Sequence, residues 1–136
     1  MRKVFLDSGF VIALKFANDQ NHRLAVACWA SLQSEFVRLL TTSFAFSEVA
    51  VFFKSRNRHD LAVVACDMLL SSSVVTLVHV DEELFDAGWQ RLLDRPDKTY
   101  SLTDCISFVL MEREGVREAL TFDEHFTQAG FVRLPG

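Results

Sequence analysis

Residues 103–134, TDCISFVLMEREGVREALTFDEHFTQAGFVRL, decide the fold of this chain. Thr103 to Glu112 spaces its apolar side chains as a helix does, and Gly115 is the residue that stops it. Arg117 to Phe122 then reads as a strand, Glu124 to Gln128 as a short helix, and Phe131 to Leu134 as a final strand. Upstream the same alternation continues. Lys3 to Leu6 reads as a buried strand ending at Asp7, followed by an apolar helix over Phe10 to Phe16. His22 to Gln33 is a second helix and Val37 to Thr41 a short strand. Thr42 and Ser43 offer caps for a helix that runs through Glu48 to about Lys54. His59 to Leu70 is amphipathic and ends at Ser71-Ser72-Ser73, and the β-branched run Val74 to Val80 reads as a strand. Asp81, Glu82 and Glu83 open a helix that Pro96 closes. Strands alternating with helices require crossover connections, so the fold class is α/β, with a mainly parallel sheet covered on both faces.

A chain of 136 residues, half of them hydrophobic, can bury a substantial core without disulfides or a structural metal. No repeat, low-complexity segment or long linker divides it, so residues 1–136 are expected to form a single domain. The opening MRKVFLDSGF meets an acid at Asp7, too early for the apolar stretch of a signal peptide. No apolar run reaches the roughly 18 residues of a membrane span. Cys28, Cys66 and Cys105 are odd in number, far apart and set in apolar sequence, which fits reduced core thiols in a cytoplasmic protein. The net charge of −4 argues against a general electrostatic grip on nucleic acid. Local basic clusters remain: Lys54, Arg56, Arg58 and His59 form one, Arg91, Arg95 and Lys98 another. Each also fits an ordinary solvated helix end.

Four acids stand out because each sits against apolar sequence, where an unpaired carboxylate costs several kcal/mol. Asp7 and Asp123 follow strands, and the carboxyl ends of parallel strands are where ligands gather. Asp104 lies in the first turn of its helix, and Glu48 lies mid-helix in FAFSEVAVFF. Converging there, the four would repel one another unless a cation compensated them, and all-oxygen ligation suits Mg²⁺ or Mn²⁺. Each aspartate also has a purely structural account. Asp7 can cap the helix after it, Ser101 with Asp104 matches a capping box, Asp123 can cap the short helix behind it, and Thr121 with Glu124 can be written as a second capping box. Glu48 resists such an account, since its helix is apolar on nearly every side and the residue is expected to be buried.

Four stretches, Val4-Phe5-Leu6-Asp7-Ser8-Gly9, Thr41-Thr42-Ser43 through Glu48-Val49, Tyr100-Ser101-Leu102-Thr103-Asp104-Cys105-Ile106-Ser107-Phe108 and Leu120-Thr121-Phe122-Asp123-Glu124-His125-Phe126, fall in order from one end of the chain to the other. Together they resemble a PIN domain, and within that family a VapC-type toxin ribonuclease. The resemblance implies a three-layer α/β/α sandwich on a sheet of five strands. It implies an acidic quartet of Asp7, Glu48, Asp104 and Asp123 that holds Mg²⁺ or Mn²⁺ and cuts RNA internally. Ser8, Thr103 and Ser107 match small hydroxyl residues that would orient the acids. Ser107 is not acidic, and Glu124 and Asp97 are the remaining candidates for a further acid, which leaves one metal or two open. It implies further a cognate antitoxin, whose Arg, Lys or terminal segment would enter the acidic site, and a homodimer, for which Leu24 to Leu32 and His59 to Leu70 are candidate faces.

With no histidine or serine at a nucleophile position, the attacking group is expected to be water. Lys54, Arg56 and Arg58 are placed to meet RNA, and Tyr100, Phe10 and Trp89 are candidates for base stacking or for core packing. His125, next to Asp123, can contact phosphate or serve structure. A haloacid-dehalogenase-like phosphatase would need a second Asp where Gly9 stands, and a serine hydrolase would need an elbow motif that is absent. A protein that holds metal, RNA or a partner in an acidic cleft without cutting is the competing reading.

Overall fold

The computed structural model describes residues 1–136, in which five strands and seven helices follow one another. In chain order they are β1 (Arg2–Leu6), α1 (Ser8–Lys15), α2 (His22–Gln33), β2 (Val37–Thr42), α3 (Ser43–Ser55), α4 (His59–Ser71), β3 (Val75–Val78), α5 (Glu82–Asp94), α6 (Leu102–Glu114), β4 (Glu118–Leu120), α7 (His125–Gln128) and β5 (Val132–Leu134). The strands form one sheet in the order β3-β2-β1-β4-β5. Every pairing is parallel. From β1 the chain builds outward to β2 and β3, then crosses back to place β4 on the other side of β1. The junction of β1 and β4 is therefore the switch point of the sheet, where neighbouring connections leave in opposite directions and open a crevice.

Alternation along β1 sorts the core into two layers. Val4 and Leu6 face one side with Leu39 of β2, where Phe10, Ala25, Val49, Phe53, Ala65 and Leu69 of α1 to α4 cover them. Phe5 faces the other side with Leu40 and Ala119, under Leu84, Ile106, Phe108, Met111 and Phe126 of α5, α6 and α7. The result is a three-layer α/β/α sandwich. Helix α6 is buried continuously from Asp104 to Met111, so its apolar residues serve the sheet on one side and α5 on the other. No helix is long and apolar enough to cross a membrane.

Two strands are shorter than the sequence pattern suggests. The run Arg117 to Phe122 contributes only Glu118–Leu120 to the sheet. Thr121 is buried but turns its hydroxyl toward Asp7, and the chain then bends into α7. At the edge, β3 covers Val75–Val78, because Val80 leaves the ladder and donates its N–H to Ser43 Oγ at 2.9 Å.

Gly88 in α5 is buried against α6. A Cβ added there would lie 2.4 Å from Ile106 Cγ1 and 3.1 Å from Ile106 Cα. The side-chain atom can yield and the backbone cannot, so Gly88→Ala is expected to push α5 off α6 at a cost of about 1–3 kcal/mol. Thermal denaturation should show a lower midpoint, and an unchanged Tm would mean that the two helices separate freely.

Candidate active site

Asp7 follows the last residue of β1 in extended backbone and acts as the N-cap of α1. Its Oδ1 accepts from Ser8 N at 2.9 Å, and its Oδ2 accepts from the Thr121 hydroxyl at 2.7 Å. The same junction is tied by Asp7 N donating to Leu120 O and by Thr41 Oγ1 donating to Leu6 O. Asp104 forms the capping box of α6: Ser101 Oγ accepts from Asp104 N, and Asp104 Oδ2 accepts from Ser101 N at 3.1 Å. Asp123 N donates to Thr121 Oγ1, and Asp123 Oδ1 accepts from His125 N at 2.9 Å. Glu48 projects from the middle of α3, where Ser8 Oγ donates to its Oε1 at 2.8 Å.

These four acids line one cleft of about 480 Å³, together with Ser8, Asp19, Asn21, Thr99, Ser101, His125 and a single hydrophobic residue, Phe122. Asp7 and Asp104 are buried at its floor. Burial pushes the Asp7 carboxyl up to about 7 from the ordinary 3.8. The Thr121 hydroxyl opposes that rise by bonding the ionised form, while the charges of Asp104, Asp123 and Glu48 add to it. Asp104, Asp123 and His125 offer ligand atoms within 4.8 Å of one another. The donor set is dominated by carboxylate oxygen, which fits a hard divalent cation.

Several expectations need correction. Glu48 is exposed rather than buried, because it stands on the solvated side of α3, where it borders the cleft. Ser107 does not touch an acid: its hydroxyl is spent on Thr103 O at 2.8 Å, inside α6. Thr103 bonds none of the four carboxylates, and Thr121 and Ser8 are the hydroxyls that do. The capping box written for Thr121 and Glu124 does not form, since Thr121 Oγ1 takes the N–H of Asp123 and the Glu124 side chain makes no cap bond, whereas Asp123 Oδ1 does accept from His125 N, the first amide of α7. Glu124 is absent from the cleft, and Asp97 pairs with Arg95 at 2.9 Å. Asp19 is the further acid in the lining, unsignalled because it stands in a polar loop.

The basic and aromatic candidates lie elsewhere. Arg56 stacks over the Phe52 ring at 3.7 Å, Arg58 pairs with Asp60, and Lys54 meets His59, all outside the cleft lining. Arg58 does border a small notch with Lys15, beside the loop that carries Asp19 and Asn21 into the cleft. Phe10 is fully buried and stacked on Phe122, with ring centroids 5.6 Å apart. Tyr100 is buried, and Trp89 is exposed on α5 away from the cleft. Phe122 is the aromatic that reaches it, a position the apolar pattern alone assigns to the core.

The PIN domain family pattern matches residues 4–132. This chain belongs to the PIN domain family. It is 33% identical over 131 residues to VapC20 of Mycobacterium tuberculosis strain H37Rv, described as a 23S rRNA-specific endonuclease, covering 96% of this chain and 97% of that protein. The crystal structure of M. tuberculosis VapC20, described as a Sarcin-Ricin loop cleaving toxin, superposes with a TM-score of 0.87 at 32% identity over 95% of this chain and 96% of that one. The fold also recurs in a chain of VapBC2 from Rickettsia felis, solved bound to a promoter DNA fragment, with a TM-score of 0.71 at 8% identity over 96% of each chain. That last likeness is one of fold. In this PIN domain the switch-point crevice and the acidic cleft coincide.

The raised Asp7 value makes a stability prediction with a definite sign. The folded state keeps a proton on Asp7 that the unfolded chain has released, so the associated stability is complete below about pH 4 and is lost as pH rises through about 7. Asp7→Asn preserves an acceptor for Ser8 N and removes the charge. In chelator it is expected to melt above the wild type by roughly 3 °C or more near pH 8, with the gap closing toward pH 5. Melting curves across that range check it, and a variant less stable than the wild type at pH 8 would mean that the Asp7 charge is compensated within the protein.

Proposed function

We propose that this PIN domain, acting as one unit over residues 1–136, is the toxin of a toxin-antitoxin pair and hydrolyses RNA phosphodiester bonds internally with Mg²⁺ or Mn²⁺. The observation that carries the proposal is the convergence of Asp7, Glu48, Asp104 and Asp123 on one cleft, with no Lys or Arg in its lining to neutralise them. In our reading Asp7, Asp104 and Asp123 hold the cation, and Glu48 joins directly or through water. A bound divalent ion would polarise the phosphodiester and lower the pKa of the attacking water. Ser8 would keep Glu48 turned toward Asp7, and Thr121 would hold Asp7 and the backbone of Asp123 in register.

RNA has to approach an acidic cleft on a net negative protein, so cationic contacts beyond the cleft matter. Lys15 and Arg58, at the notch beside the Asp19–Asn21 loop, support a path for the phosphate backbone, with Lys54 and Arg56 at the C-terminal end of α3 just before Arg58. Phe122 offers its ring to a nucleobase in place of the residues read from the sequence. The relative VapC20, named for 23S rRNA, makes ribosomal RNA the first substrate to test. Antitoxin recognition and a homodimer are supported by the apolar side chains left exposed on α2 and α4, among them Leu24, Val26, Val63, Val64 and Leu70. A cytoplasmic site of action agrees with three free cysteines.

The test is incubation of the purified chain, free of antitoxin, with intact ribosomes and with total RNA in Mg²⁺, in Mn²⁺ and in excess chelator. Discrete fragments are expected with either metal and none in chelator. Asp104→Asn should lose more than the roughly 10–100-fold that follows removal of an outer partner of a metal ligand. Folded protein that leaves every RNA intact while binding metal would favour the non-cleaving reading.

A further inference from the structure

His125 touches two of the four acids at once. Its ring Nδ1 lies 2.9 Å from Asp104 Oδ2, and its backbone N–H donates to Asp123 Oδ1 at 2.9 Å. Asp104 Oδ2 also accepts from Ser101 N, and the tautomer that makes the ring a second donor to that oxygen carries its proton on Nδ1. The opposite nitrogen, Nε2, lies 3.1 Å from Thr99 Oγ1. Tyr100 packs edge-on against the imidazole, with centroids 5.3 Å apart at 77°, which fixes the plane of the ring. Asp104 Oδ2 thus receives two protein donors, Ser101 N and His125 Nδ1. Asp104 Oδ1 receives none.

We propose that His125 is a positioning residue: its Nδ1–H, with Ser101 N, holds Asp104 Oδ2 back and turns Oδ1 toward the cation, while its backbone does the same for Asp123. The inference rests on the metal-site reading above. Without the ring, Asp104 would be free to rotate and to meet the cation with either oxygen or with both. Ligand affinity depends on such outer partners because they fix the orientation of the carboxylate before the cation arrives.

Mn²⁺ uptake, followed by electron paramagnetic resonance of free Mn²⁺, separates the alternatives in the full chain. His125→Ala is expected to weaken uptake by about 10–100-fold. His125→Asn places an amide N–H where Nδ1–H stands and should recover most of the loss, whereas His125→Gln, which reaches toward the Nε2 position, should not. Nitrogen-15 spectra of the metal-free wild type should show a proton on Nδ1 of His125. Circular dichroism checks folding, and if His125→Ala does not fold, the Asn and Gln variants decide. Wild-type affinity in His125→Ala, or equal behaviour of Asn and Gln, would overturn the role of His125 while leaving the metal site standing. A wild type that takes up no Mn²⁺ would overturn both.

Discussion

The burial of a carboxyl group beside three others, at the carboxyl ends of β1 and β4, is the constraint to which the surrounding structure answers. Asp7 is buried at the floor with three other acids near enough to raise its pKa. The cleft lining holds no Lys or Arg, and the acids are met by hydrogen-bond donors: Ser8 N and the Thr121 hydroxyl for Asp7, Ser101 N and His125 for Asp104, His125 N for Asp123, and the Ser8 hydroxyl for Glu48. Amide and hydroxyl donors orient a carboxylate and partly replace its hydration, but they leave the summed negative charge in place. The cleft is therefore polarised toward a positive ligand, and the stability it forgoes is offset by the two apolar layers on either side of the sheet.

The parallel topology determines which segments can contribute. Asp7 and Asp123 arrive together because β1 and β4 are neighbours, although 116 positions separate these acids in the sequence. Glu48 and Asp104 come from helices on opposite faces of the sheet, so their separation is set by the thickness of packing. On the α6 side that packing runs through Gly88, where the backbone of α5 meets Ile106 two residues beyond Asp104. A small residue in the core thus sets how closely α5 approaches the turn of α6 that follows Asp104.

The order of elements was legible from the sequence because each helix carries an apolar period and most carry a recognisable boundary: Thr42, Asp81 and Ser101 do act as N-caps, and Gly115 does close α6 in the left-handed conformation. The four acids could be singled out for the same reason, standing where hydrophobic pattern is interrupted. Side-chain orientation was less accessible. FAFSEVAVFF looks apolar all round, yet α3 packs Ala45, Val49 and Phe53 inward and leaves Val51 and Glu48 exposed. Ser107 is adjacent to Asp104 on a helical wheel, but its nearest acceptor is the carbonyl one turn back. The link from Thr121 to Asp7 spans nearly the whole chain and has no local signature.

Capping and a place in the cleft, which compete as explanations of an aspartate in a sequence, are met here by the same carboxyl groups. Asp104 gives Oδ2 to the N-cap amide of α6 and leaves Oδ1 without a protein donor. Asp7 gives Oδ1 to the first turn of α1. In both cases the helix amides also stabilise the anion through the positive end of the helix dipole, so the cap lowers the cost of holding a charge beside other charges. An aspartate at the start of such a helix is fixed by the backbone, which is the most rigid donor available, and needs no additional side chain to aim it except where a second lone pair must be occupied. For Asp104 that additional side chain is His125; for Asp7 it is Thr121. Fold and site therefore share their contacts: the interactions that begin α1 and α6 are the interactions that point two acids at one place.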